Sequence, residues 1–244
     1  MSTPSSNPAE HPLFSAAKAL DPARHGHWKV RTDANYRFAR YLPTLPITAP
    51  EFVYAARDFP IVFAGEQHQP VIVTSFRERQ NLLVGPQGQW RANRYVPLHL
   101  KRYPFILHEV PTEQRFAVCI DENPDYCSAT QTGEALFNGA EPSGFTQQRI
   151  KLLGEMQAGI EQTRRYVEAL RKEGLLTLRQ VSVELKSGEQ SKLDGLYTLD
   201  EEKLTRLPDA TLLEWARQGW LALSYFQLQS RLNWPLLLTL DQEA

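Results

Sequence analysis

Six side chains between residues 90 and 122 have the types a binding site uses: Trp90, Tyr95, Arg102, Tyr103, Asp121 and Glu122. Three of them fall in the stretch YVPLHLKRYPFIL, which runs from Tyr95 to Leu107 and packs two prolines, two tyrosines, a phenylalanine and the pair Lys101-Arg102 together. A guanidinium holds an anion through two parallel hydrogen bonds, and tryptophan and tyrosine rings offer flat contact surfaces. These are also the types that dominate binding hot spots. The plainer alternative is packing, with the rings and leucines filling space under a sheet while Arg102 pairs with a carboxylate. Asp121 and Glu122 follow an apolar run, where they could act as acid and base, hold a hard cation, or simply cap the turn after a strand.

Other chemistry is poorly provided for. Cys119 and Cys127 are the only cysteines and have seven residues between them, with no second pair at zinc-ligand spacing, so no metal site is expected. As a nucleophile Cys119 would need a nearby histidine such as His99 or His108; strand alternation buries it as easily as a small apolar residue. The six histidines are scattered. Gly133, Gly139 and Gly144 fit neither phosphate-loop nor dinucleotide spacing, and no Gly-x-Ser-x-Gly elbow occurs, so no cofactor is expected.

The elements that would position these residues follow from pattern. Residues 1 to about 24 read as a flexible tail, polar and rich in Pro and Ser, without the charged-then-apolar order of a secretory signal. Trp28 to Arg31 alternates like a short strand. Thr48, Pro50 and Glu51 start a helix whose Phe52, Ala55, Ala56 and Phe59 share a face, and Pro60 ends it. Ile61–Ala64, Val71–Phe76, Leu82–Val84, Gln89–Arg91, Phe105–His108 and Phe116–Ile120 read as strands of an antiparallel meander, with Gly85-Pro86-Gln87-Gly88 as its clearest turn. Between Pro97 and Pro104, Leu98 to Tyr103 can wind one short helix.

The second half reads as helical. Apolar residues recur at helical spacing from Phe145 to Gly174. Leu178–Leu185 and Gly195–Leu199 form a hairpin around Ser187–Gln190. Asp200 and Asp209 cap two further helices, Gly219 ends the second, and Trp220 to Asn233 forms the last one before Pro235. Trp215, Trp220, Tyr225, Phe226, Leu228 and Trp234 give this end more aromatic surface than a helix pair normally buries, so part of it could meet a partner or a second copy.

The 244 residues, 42% hydrophobic and 23% charged, describe one α+β domain over 25–240: a meander part (25–140) and a mainly helical part (141–240) with a small hairpin. A net charge of −1 provides no field for nucleic acid. No apolar run reaches the roughly 20 residues of a membrane span.

The sequence also resembles a known family. Leu45-Pro46-Ile47-Thr48, Glu51-Phe52, Phe59-Pro60-Ile61-Val62-Phe63, Asn81-Leu82-Leu83-Val84 and Gly88-x-Trp90 resemble the SapC family. So do Tyr95-Val96-Pro97, Arg102-Tyr103-Pro104-Phe105, Cys119-Ile120-Asp121-Glu122, Leu136-Phe137, Leu193-x-Gly195-Leu196-Tyr197 and Asp200-x-x-x-Leu204. The family is named after surface-layer secretion loci, and many members look like soluble bacterial proteins. The resemblance carries no catalytic residues, so none is transferred.

Residues and resemblance together lead to a cytoplasmic, non-enzymatic binding or accessory protein with an unknown small-molecule or protein partner. The expected site is a hollow where Trp90, Tyr95, Arg102 and Tyr103 meet Asp121 and Glu122. One alternative is an enzyme acting on a small molecule or peptide, with Asp121 or Glu122 as acid-base and Arg102 as anion clamp. Another is a homo-oligomer or partner scaffold built on the Trp-rich C-terminal helices.

Overall fold

Thr48 and Glu51 show how local chemistry sets an element here. The Glu51 carboxylate accepts from the Thr48 amide and hydroxyl, both at 2.8 Å, closing the start of a helical turn over Ala49–Glu51 that continues as the helix Phe52–Asp58. Phe52, Ala55 and Ala56 are buried, as their spacing predicts. The computed structural model describes residues 13–110, 115–185 and 188–243. These divide into two units, each assembled from two separate stretches of chain.

One unit combines the residues up to Asn35 with Leu100–Gln157. Its main sheet has three antiparallel strands, with Arg115–Asp121 paired on one side with Phe105–Val110 and on the other with Ala17–Ala19. A second small sheet pairs Lys29–Val30 with Cys127–Ser128 and Glu134–Ala135. Val30, Phe105, Ile120, Cys127, Leu136, Phe137 and Leu153 form its core. Residues 13–24 are not a tail. Leu13 and Phe14 are buried, Ala17–Ala19 is an edge strand, and Asp21 caps the helical turn Pro22–His25. Small apolar residues in this segment give a weak periodic signal, and its order comes from the strand it joins. The expected tail residues 1–12 lie outside the described residues.

The other unit combines Tyr36–His99 with Ala158–Ala244. Its five-stranded antiparallel sheet runs, edge to edge, Leu176–Glu184, Gln190–Leu199, Ile61–Ala64, Gln69–Val73 and Thr44–Pro46. The α+β class therefore holds, with helices covering the C-terminal end of the chain. The strands of the first half do not form one meander, however. They are shared between two sheets, and the C-terminal hairpin joins the second by pairing Leu196 and Tyr197 with Ala64 and Phe63. In the expected Gly85–Gly88 turn the amide of Gly88 donates to Gly85 O at 2.9 Å, but its flanks make only a single bridge, Val84 to Trp90. Ser187 of the hairpin turn lies outside the described residues.

The long helix Gly144–Lys172 starts in the first unit and ends in the second, with Gly174 at φ 63° beyond its end. Asp200 caps the helix Glu201–Thr205 by accepting from Lys203 N. Pro208, not Asp209, occupies the cap position of Asp209–Gln218, and Gly219 ends that helix in the left-handed region at φ 75°. Pro235 starts a helix, Trp234–Glu243, where the sequence reading has it as a stop. Proline fits the first turn because the amide it lacks has no partner there. Trp215 is core, edge-on to Trp220 at 5.8 Å, whereas Tyr225 and Leu232 are exposed. No helix among the described residues is long and apolar enough to cross a membrane.

Candidate functional site

The six candidate residues fall into two groups. Arg102, Tyr103, Asp121 and Glu122 belong to the first unit, and Trp90 and Tyr95 to the second.

In the first unit, the strand Arg115–Asp121 delivers Asp121 to a position with no solvent exposure. Burial of a carboxylate requires donors, and three converge on it. One oxygen accepts from the amides of Ser15 at 3.1 Å and Ala16 at 2.7 Å, and the other from the Tyr103 hydroxyl at 2.7 Å. Tyr103 also accepts from Asn123 Nδ2 at 3.2 Å. Burial, and then the hydrogen bond to Asp121, push the Tyr103 phenol above its ordinary pKa. The short helix Leu98–Lys101 leads directly into Arg102, whose guanidinium carbon stands 5.0 Å from the centre of the Phe14 ring. Burial lowers the Arg102 pKa to about 10. Phe14 also packs against Tyr103, centroid to centroid at 5.6 Å. The proline-bracketed turn and the acidic strand end thus meet as expected. The chain's own Phe14, Ser15 and Ala16 sit against them.

Glu122 completes this arrangement. It takes a two-pronged hydrogen bond from Arg24, whose Nη2 is at 2.6 Å, and lies 3.1 Å from Nε2 of the fully buried His25. The Arg24 hydrogen bond, helped by His25, holds the Glu122 carboxyl below the usual carboxylate range against the opposing effect of burial. Cys127 lies behind the two acids; burial first, then Glu122 and Asp121, raise its thiol to about 12. Burial raises Cys119 as well. Both thiols are buried and free, which leaves little thiolate at neutral pH, and Cys119 is buried in its strand as alternation allows.

In the second unit, Tyr95 reaches a buried acid that sequence reasoning treated only as a helix-start residue. Its hydroxyl donates to Glu51 at 3.0 Å, the same carboxylate also accepts from Leu98 N at 2.8 Å, and the Tyr95 amide donates to Asp58 at 2.7 Å. Burial works against ionised Asp58, yet Arg57, the Tyr95 amide and Arg94 together keep its carboxyl low. Trp90 donates Nε1 to Tyr95 O at 3.2 Å and meets Tyr36 edge-on. Both aromatic residues keep half-buried faces. Among the described residues no group of three or more His, Cys, Asp or Glu is arranged to hold a metal ion.

The sequence model of the SapC family matches residues 20–237, nearly the whole chain. The chain belongs to the SapC family. No curated protein and no solved structure matches it. For this SapC protein, the roles of individual side chains therefore rest on the geometry above. That geometry adds Ser15, Ala16, Arg24, His25 and Glu51 to the residues the sequence singled out. The backbone amides of Ser15 and Ala16 leave no mark in a side-chain pattern. His25 was visible only as one of six scattered histidines.

Proposed function

We propose that this SapC protein is a cytoplasmic, non-enzymatic binding or accessory protein. The observation that carries the reading is the state of Asp121, the strongest acid-base candidate. It is fully buried, and its oxygens already accept three hydrogen bonds from Ser15, Ala16 and Tyr103. A general base must reach the proton it removes, within about 3 Å. Asp121 is spent instead on fixing the N-terminal segment, as Glu122 is through Arg24 and His25. In this reading Arg102 and Asp121 hold the architecture. Contact with a small molecule or protein falls to the half-buried faces of Trp90 and Tyr95 in the second unit and of Tyr103 in the first.

The test is a time course. Purified protein is mixed with a pool of amino acids, sugars, nucleotides and peptides, and each component is followed by NMR. The binding reading expects line broadening or saturation transfer for a component whose concentration stays constant. Steady consumption of any component, abolished by Asp121→Asn or Glu122→Gln in a folded protein, would establish the enzyme reading instead.

A second reading is favoured by the exposure of Tyr225 and Leu232 near the C-terminus, 54% and 78%. A second copy covering them would give dimer-sized mass in light scattering, reduced by Tyr225→Ser with Leu232→Ser.

A further inference from the structure

Away from all six candidate residues, the second unit contains a cleft of about 330 Å³. Pro50, Gln162, Arg165, Gln218, Trp220 and Leu223 line it. That volume lies at the lower end of the range for small-molecule sites. Among the described residues its wall carries one charged side chain, and that charge is positive. The neighbouring arginine explains why Arg165 keeps its charge available: Arg164 takes Glu161 at 2.7 Å and Glu168 at 3.1 Å. Arg165 makes no ion pair among the described residues, although it lies close enough to Glu161 to be felt. Gln162 and Gln218 add carboxamides, each able to donate or accept. The remaining wall is apolar and includes a flat element. Trp220 is half-buried and held edge-on against the buried Trp215 at 5.8 Å, so its ring is braced by the core rather than free to swing.

One guanidinium beside a braced indole fits one kind of ligand. We propose that this cleft binds a small monocarboxylate carrying a planar apolar body. The carboxylate would pair with Arg165, in the two-pronged manner that suits a guanidinium, and the planar body would lie against Trp220, Pro50 and Leu223. A single cation matches a single negative charge better than a phosphate dianion. The site does not depend on the reading given above for Asp121, and it would stand whether the protein binds or turns over something elsewhere.

The probe is 2-naphthoate, with neutral 2-naphthamide as its isosteric control. Binding is followed by saturation-transfer NMR and titration calorimetry on the full chain. Arg165→Gln removes the charge from an exposed position, and unchanged circular dichroism and melting would verify the fold. Arg164→Gln removes the adjacent charge outside the cleft. The expected result is naphthoate binding with a Kd of about 1 mM or tighter, weakened about tenfold or more by Arg165→Gln. Arg164→Gln, which frees Glu161 to compete for Arg165, should weaken binding by less than Arg165→Gln does, and naphthamide should bind about as weakly as naphthoate does to Arg165→Gln. The proposal is overturned if naphthoate gives no signal, if Arg165→Gln binds it as well as wild type, or if naphthamide binds equally.

Discussion

The Tyr103 hydroxyl donates to Asp121 across 2.7 Å, joining the turn after a short helix to the end of a strand eighteen residues further on. The same carboxylate holds the Ser15 and Ala16 amides, so one buried acid ties three parts of the chain together.

Asp121→Ala should therefore be costly. It leaves two amides and a phenol without their acceptor, a carboxylate that has no solvent exposure. Loss of charge-assisted hydrogen bonds of this kind costs about 3 kcal/mol or more. Urea unfolding measures the total, and amide exchange locates it: Ser15 and Ala16 should lose protection. A change under about 1 kcal/mol would show that water replaces the carboxylate easily.

Glu122 links stability to acid. Its folded pKa lies below the unfolded value of about 4.3, so its contribution is complete above that pH and disappears as pH falls through the folded value. Wild type should melt higher than Glu122→Gln at pH 7, and the gap should narrow as pH falls below the unfolded value of about 4.3. A gap that stays constant to pH 3 would mean that Arg24 and His25 do not act through the carboxylate charge.

Alkali should act on the tyrosines in the opposite sense. Burial raises Tyr95, Tyr103 and Tyr166 above the ordinary value of about 10, so their contribution is complete below pH 10 and is lost as pH rises further. Absorbance at the tyrosinate band should show these three ionising only together with unfolding, and Tyr103→Phe should remove one tyrosinate from that late step. Early, reversible ionisation of all nine tyrosines would contradict the burial.

The helix Gly144–Lys172 offers a paired test. At Gly154 an added Cβ meets nothing within 4 Å, so Gly154→Ala should gain about 1 kcal/mol from helix propensity alone. At Gly159 the same atom would meet the Thr48 hydroxyl at 3.0 Å and its Cβ at 3.1 Å. Gly159→Ala should therefore melt lower than Gly154→Ala and bring no gain over wild type. Equal gains at both positions would refute the close approach of Thr48.

These contrasts also mark what a reader of the sequence could recover. The Thr48–Glu51 helix start, the Asp200 cap and the Gly219 stop were legible because each is decided within a few residues. Strands such as Ile61–Ala64 and Arg115–Asp121, and pairings between neighbours in the chain, were legible for the same reason, but Ala17–Ala19, Thr44–Pro46 and the pairings between distant segments were not. Alternation along Ile61–Ala64 says nothing about Leu196 joining it, because register between distant segments is set by the assembled sheet. At the candidate site, the approach of Tyr103 to Asp121 was legible from a short connection. The arrival of Phe14 was not, since its segment is polar and proline-rich before it and is fastened through the backbone amides of Ser15 and Ala16. Pro235 misled because proline marks both the end of one helix and the start of the next.

The pairing of Leu196 and Tyr197 with Ala64 and Phe63 has a consequence for biosynthesis. A chain leaving the ribosome N-terminus first exposes Ile61–Ala64 long before its neighbour has been translated, and pairing across so large a loop closes slowly. During that interval an apolar strand has an open hydrogen-bonding edge, the feature that most readily recruits a stray strand from another nascent chain. Yield in the cell should thus depend on translation speed and chaperone supply through the first two hundred residues or so, more than on the melting temperature of the finished protein.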